Sequence, residues 1–270
     1  MPRNPSTTAL DPTKPTVART YSAMLKQKSN LPSDRSLLGD LMQVIPSFPE
    51  LAKVNFDYMR RSSQWLARHQ GIRRFLDIGS GIIEPPTLHD AVRQVDPGCR
   101  VVYVDNDESV LAYREHSTSG VEMLEWDVRD TENLLRSEAV AALLGAGEPV
   151  ALNLGSVIQW LGDEDEPHRI VRMLVDSLPG GSYLNMTTPT SEFSADVAAR
   201  VTQVYADHGI LLTTRTREEF ETFFDGLDEV EITLPYQWRS TRETVQLTPD
   251  TSHFLSGIGR VPMRGASEHR

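Results

Sequence analysis

Three acids and two glycines raise the first chemical question in this sequence. Asp77 stands two places before Gly79, with Ser80 and Gly81 following, in the run FLDIGSG; Asp105 closes VVYVDND; Asp127 lies in LEWDVRD. A Gly-X-Gly turn after an apolar strand lets backbone come close to a ligand, as nucleotide-binding loops do at the carboxyl ends of parallel strands. The third glycine of a dinucleotide fingerprint is missing, and Glu84 occupies its place, followed by Pro85 and Pro86. A carboxylate just ahead of the glycines would repel a pyrophosphate. It suits a ligand that presents a cation, such as the amino group of a methionyl tail. Asp105 lies 24 residues beyond Gly81, where an acid can accept hydrogen bonds from both ribose hydroxyls. Asp127 ends the next strand, where recognition of an adenine edge is expected. The competing reading of each acid is a cap on the following helix.

Those residues need a frame of alternating strands and helices, and the pattern from residue 73 onward supplies it. Strands are expected at Phe75–Ile78, Val101–Val104, Val121–Glu125, Val150–Leu154 and Ser182–Met186. Helical stretches fall near 87–95, 108–117, 131–144, 167–178 and 192–208, with another around 217–225. This rhythm predicts a parallel sheet covered on both faces. Val230–Leu234 and His253–Val261 have no helix between them and read as an antiparallel pair. Upstream, residues 1–16 are rich in Pro, Thr and Ser and are expected to be a disordered tail. Residues 17–70 read as helices broken at Pro32, Pro46 and Pro49, with residues 71–262 as the nucleotide-binding domain and 263–270 as a second tail. No internal repeat is present.

Composition removes several classes. The formal charge of −11 argues against a grip on phosphate backbones, and no nucleic-acid partner is expected. No apolar run approaches the ~20 residues of a membrane span, and the amino terminus lacks the apolar core of a secretion signal. The expectation is a cytoplasmic protein. Cys99 is the only cysteine, so neither an internal disulfide nor a cysteine-built zinc site can form. The only lysines are Lys14, Lys26, Lys28 and Lys53, which leaves no P-loop motif and no Tyr/Lys pair of a short-chain dehydrogenase.

The residues now point to a family. The chain resembles class I S-adenosylmethionine-dependent methyltransferases, and more narrowly the actinobacterial family once catalogued as DUF574. FLDIGSG, VVYVDND, the strand beginning PVAL, LPGGSYL and FFDGLDEVE followed by WRS carry the likeness, with ARTYSAML and VNFDYMRRSSQWLARHQGIRRFLDIG upstream. The resemblance spans roughly residues 17–262. It implies an α/β, Rossmann-like, seven-stranded, mostly parallel sheet with an antiparallel last strand, plus a helical amino-terminal extension serving as a lid. It also implies S-adenosylmethionine as cofactor and a small-molecule substrate, in keeping with a specialised biosynthetic step. Asp77, Gly79, Ser80 and Gly81 would then line the methionyl portion. Asp105 would hold the ribose with Asn106 beside the adenine, and Asp127 and Val128 would meet the adenine. Asn153, Gly155 and Ser156 would pass under the sulfonium, and Asn55 and Arg60 match positions that close over the cofactor.

The sequence departs from that pattern near the expected substrate side. Lys26-Gln27-Lys28-Ser29-Asn30 replaces a Gly-Gly-Lys-Asp-Asn run, Gln159 stands where a His is usual, and IIEPP replaces a Leu-Pro. Methyl transfer from a sulfonium depends mainly on positioning; a base is needed only for a poorly acidic hydroxyl or a protonated amine. No catalytic residue is assigned. His89, His116 and His208 read as surface positions on helices, and His168 as a helix-start residue after the acidic run Asp163–Glu166. That run is read as a solvated loop; a divalent ion held there is the lesser alternative, and no metal site is expected. Tyr21, Gln159 and Trp160 are the expected substrate contacts; Tyr236 and Trp238 lie in segments near the same open end, and packing is the commoner role for each aromatic taken alone. The rival reading is a protein that keeps the cofactor pocket without transferring a methyl group, as a ligand-binding module or a cyclisation or elimination catalyst. A nicotinamide oxidoreductase ranks behind it. A homodimer is left open by the sequence.

Overall fold

The computed structural model describes residues 11–111, 120–239 and 253–263. The extension folds as α1 (Val17–Met24), α2 (Pro32–Val44) and α3 (Phe48–His69). Pro32 and Pro49 do not break these helices but open them, since a proline in the first turn gives up an N–H that has no partner there anyway. Pro46 lies in the link between α2 and α3. The carboxylate of Asp34, fully buried on α2, takes the Arg19 guanidinium at 2.8 Å together with the backbone N–H groups of Thr16 and Leu31. Residues 11–16, expected within the disordered tail, are instead tied down: Pro12 accepts from Ser33 and Lys14 from Arg19. The rest of that expected tail, and residues 264–270, lie outside the described residues.

Seven strands form one sheet: β1 (Arg74–Ile78), β2 (Arg100–Asp105), β3 (Val121–Glu125), β4 (Val150–Gly155), β5 (Tyr183–Pro189), β6 (Asp228–Thr233) and β7 (Phe254–Arg260). Their order is β3-β2-β1-β4-β5-β7-β6, with β7 antiparallel to both neighbours and the first five strands parallel. Apolar runs such as VVYV and VALNL follow from burial on both faces. The covering helices are α4 (Leu88–Arg93), α5 (Glu108–Leu111), α6 (Thr131–Arg136), α7 (Glu138–Gly145), α8 (Pro167–Asp176), α9 (Ala195–Asp207) and α10 (Arg217–Glu221). The stretch expected as one helix over 131–144 divides at Ser137, whose hydroxyl donates to Leu134 O at 2.7 Å. The helix expected from 192 starts at Ala195 because Ser194 caps it. The expected 112–117 portion of α5, with His116, falls outside the described residues.

One face of the sheet buries Leu76, Val102, Leu152 and Leu184 against α7 and α8; the other sets Phe75, Val101 and Tyr103 against Tyr58 and Leu66 of α3. A third cluster joins α1, α2 and α3 to α9 through Met24, Leu41, Phe48 and Tyr205. The extension is thereby packed over the carboxyl ends of the strands, and β1 and β4, where the strand order reverses, open beneath it. Among the described residues no helix is long and apolar enough to cross a membrane.

Candidate functional site

A cavity of about 740 Å³ lies at that reversal point, within the ~300–1,000 Å³ common for small-molecule sites. The β1 loop forms its floor. Gly79 and Gly81 adopt φ +69° and +62°, the left-handed region that glycine enters without strain. A side chain on Gly79 would also run into Val157, which follows β4. The N–H groups of Gly79 and Ser80 donate to Val104 O at 2.7 and 3.2 Å, folding the loop onto the end of β2. Asp105 then fixes it from the same strand. Its two carboxylate oxygens accept from Gly81 N at 2.8 Å and Asp107 N at 2.9 Å. Burial pushes the Asp105 carboxyl above the usual range, and those N–H donors pull it back only in part.

Asp77 is the unusual member. Half-buried in the cavity wall, it accepts no hydrogen bond and pairs with no cation among the described residues. Burial, and then the charge of Asp105, raise its pKa from 3.8 to about 7. A carboxylate in that position favours a cationic ligand group, because an opposite charge stabilises its ionised form.

At the end of β3, Asp127 accepts from Asn106 Nδ2 at 3.2 Å and pairs with Arg129 Nη1 at 2.8 Å. It also caps the short turn that follows by accepting from Arg129 N, while its residue lines the cavity. Arg129 reaches on to Asp165 at 3.0 Å. That contact takes one acid of the Asp163–Glu166 run into the site's frame, while Asp163 and Glu164 stay exposed. Among the described residues no cluster of three or more His, Cys, Asp or Glu could hold a metal ion. Val128 lines the cavity beside Asp127.

The β4 end supplies Gly155 and Ser156, both in the cavity wall. Ser156, at φ +57°, donates its N–H to Thr187 O and Thr187 Oγ1. Asn55 on α3 donates to Ser156 Oγ at 2.9 Å and to the Tyr21 hydroxyl at 3.0 Å, and that hydroxyl donates to Ala52 O. Trp160 anchors its indole N–H on Ser156 O at 2.9 Å and meets Tyr205 edge-on. Tyr21, Gln159 and Trp160 thus share one wall.

Asn153 does not join them. It is fully buried beneath α3, where its amide donates to Ser63 and its carbonyl accepts from Asn185, whose amide also reaches Ser62. α3 covers β4 and β5 at that level, so Asn153 ties the extension to the sheet and only Gly155 and Ser156 emerge beyond the helix. Tyr236 and Trp238 are likewise absent from the cavity wall; Trp238 packs edge-on against Tyr58 and Trp65. His89 is half-buried rather than a surface residue, bonded through Nδ1 to the Tyr103 hydroxyl. His208 meets Asp40 and His168 stacks on Phe223, both away from the cavity.

Sequence reasoning left Glu84 open and missed Arg129. Glu84 lines the cavity and accepts the backbone N–H of Ser29 at 3.2 Å and of Lys28 at 3.5 Å, so the IIEPP segment is latched to the extension. Arg129 could have been suspected from its place two residues after Asp127. Arg60 lines the cavity; its Nε donates to Thr87 O and its guanidinium lies over Phe56.

Comparisons with known proteins identify the family. A family model described as S-adenosyl methyltransferase matches residues 3–262. A DUF574 family protein from Streptomyces avermitilis MA-4680 is 33% identical with a TM-score of 0.88, over 92% of this chain and 98% of its own. A Thermobifida fusca YX protein proposed to be a methyltransferase is 30% identical with a TM-score of 0.85, over 93% of this chain and 96% of its own. The plantazolicin methyltransferase BpumL, solved with a triazolic desmethylPZN analog and S-adenosylhomocysteine (SAH), shares the fold at 11% identity and a TM-score of 0.51, over 91% of this chain and 95% of its own. No curated protein matches the sequence.

Proposed function

Because this chain belongs to the S-adenosyl methyltransferase family, we propose that it transfers the methyl group of S-adenosylmethionine to a small molecule in a biosynthetic step. The observation that carries the cofactor's placement is Asp77, a carboxylate without a counter-ion at the strand-order reversal. The methionyl tail's amino group is the cation that Asp77 would meet. Gly79, Ser80 and Gly81 would bring backbone alongside the tail. The guanidinium of Arg60, whose terminal nitrogens make no hydrogen bond to the described residues, would take the tail's carboxylate. Asp105 would hold the ribose, Asn106, Asp127 and Val128 the adenine, and Gly155 and Ser156 the region of the sulfonium.

When bound, the cofactor supplies an activated methyl group, and the chain's own task is placement. Asn55 fixes Ser156 and Tyr21 in one arrangement, while Trp160 and Tyr21 close that side against water. Tyr21 is a poor base: burial raises its pKa and its proton is committed to Ala52 O. Calorimetric titration with S-adenosylmethionine and SAH tests the reading, and no binding of either at millimolar concentration would sink it. Transfer of a labelled methyl into any component of a metabolite extract separates an active enzyme from a chain that only binds the cofactor.

A further inference from the structure

We infer that Arg129 is a positioning residue: it braces Asp127 against Asp165, which lies outside the cavity wall, and thereby sets how strongly the site prefers a 6-aminopurine cofactor to a 6-oxopurine one. The inference rests on the proposed placement of adenine beside Asp127 and deepens it.

Asp127 keeps little acceptor capacity to spare. An ionised carboxylate offers about four lone-pair sites. Oδ1 accepts from Arg129 N at 2.9 Å, while Oδ2 accepts from Arg129 Nη1 at 2.8 Å and from Asn106 Nδ2 at 3.2 Å. Oδ2 is thus full, and the remaining site belongs to Oδ1. A ligand can reach the group, because 37% of the Asp127 side chain stays accessible and the residue lines the cavity. A 6-amino group there brings a donor to an acceptor. A 6-oxo group sets two acceptors against each other.

Arg129 fixes which way that carboxylate turns. While Nη1 holds Asp127, Nε pairs with Asp165 Oδ1 at 3.0 Å and Nη2 donates to Trp160 O at 3.4 Å. One planar fork therefore sets three partners relative to one another. The far end of the brace is itself held. Asp165 Oδ2 accepts from Gly162 N at 2.9 Å, and Thr213 N donates to Gln159 O at 2.8 Å. Buried Arg215 donates to Ile158 O at 3.0 Å and to Leu161 O at 3.4 Å. Asp127 thus leans on an anchored part of the loop after β4. Partly exposed ion pairs add little stability; what these contribute is direction. Asp165 is absent from the cavity wall, so its route to the cofactor runs through Arg129.

The test is calorimetric titration of the full chain with SAH and with S-inosylhomocysteine, which carries an oxo group in place of the 6-amino group. One hydrogen bond to a charged acceptor corresponds to a preference of the wild type for SAH of about 10- to 100-fold. Arg129→Ala leaves the backbone N–H on Asp127 in place and should cut that preference at least about threefold. Asp165→Ala should cut it by a similar factor, and the double variant no further than either alone, because the two residues act in series. A merely structural role would weaken both ligands alike and leave their ratio where it was. An unchanged ratio in either single variant, or additive losses in the double variant, would overturn the inference. Equal binding of the two ligands by the wild type would instead overturn the adenine placement beneath it, and failure of SAH to bind would overturn the cofactor reading itself.

Discussion

Replacing Asp77 by Asn should make cofactor affinity nearly independent of pH while stabilising the free protein. In the apo chain Asp77 has its pKa raised to about 7, by burial first and by Asp105 second. A cationic group beside it favours the ionised form, so binding releases a proton below pH 7. With the carboxyl protonated two decades below its pKa, at pH 5, the dissociation constant for SAH should be weaker than at pH 8 by on the order of 100-fold, about 2.7 kcal/mol. The sign for folding is opposite. A carboxyl raised from 3.8 in the unfolded chain to about 7 in the folded one binds more protons when folded. Its contribution is fully present below pH ~4 and is lost as pH rises towards ~7, amounting to at most about 4 kcal/mol at ~1.4 kcal/mol per decade. Asp77→Asn should remove both trends, raise the apo melting temperature at pH 8 and weaken SAH binding there by roughly 10- to 100-fold through the lost charged contact. Calorimetric titration and thermal unfolding from pH 5 to 8 measure both. A flat wild-type profile, or a slope that survives in the variant, refutes the reasoning.

Four further outcomes can be checked by thermal or denaturant unfolding. Gly79→Ala places a methyl group against Val157 on a left-handed backbone and should cost about 1–2 kcal/mol and most cofactor affinity; Val157→Ala should restore part of the stability because only the clash is relieved. Glu84→Ala unlatches the β1 loop from Ser29 and Lys28, and should speed proteolysis within residues 26–30 while lowering global stability by no more than about 1 kcal/mol. Asp34→Asn leaves Arg19 buried beside a neutral amide and should cost about 3–5 kcal/mol, more than any other exchange in the extension. Lys26, at φ +58°, occupies backbone that glycine adopts freely, so Lys26→Gly should stabilise by up to about 1 kcal/mol.

The fold was legible because its signals are local and repeated. Burial on both faces wrote β1, β2 and β4 as apolar runs, and their carboxyl ends were marked by glycine or acid; the parallel order and the antiparallel β7 agree with that reading. The acids at the ends of β1, β2 and β3 do gather on one cavity, as do Tyr21, Gln159 and Trp160. Asn153 misled because a strand-end position says nothing about which helix lies across it, and α3 covers β4 there. Trp238 takes the packing role that is the commoner one for an aromatic residue, filling the junction of α3 with the sheet. Glu84 was illegible because its partners are 55 and 56 residues away in sequence and are backbone N–H groups, which carry no residue-type signature.

That latch changes what the departures from the family pattern mean. The Lys26–Asn30 run and IIEPP look like two separate losses when read along the chain, yet in space they form one contact, with Glu84 accepting the N–H groups of Ser29 and Lys28. Lys26 adopts φ +58°, a left-handed conformation that glycine enters without strain. Glu84 lines the cavity beside the β1 glycines, and residues 28 and 29 meet it from the extension. Exchange of either segment would therefore bear on how the extension meets the β1 loop, where Glu84 lines the cavity. Glu84→Ala should accordingly weaken binding of S-adenosylhomocysteine in calorimetric titration, and an unchanged affinity would refute a role for the latch at the cofactor.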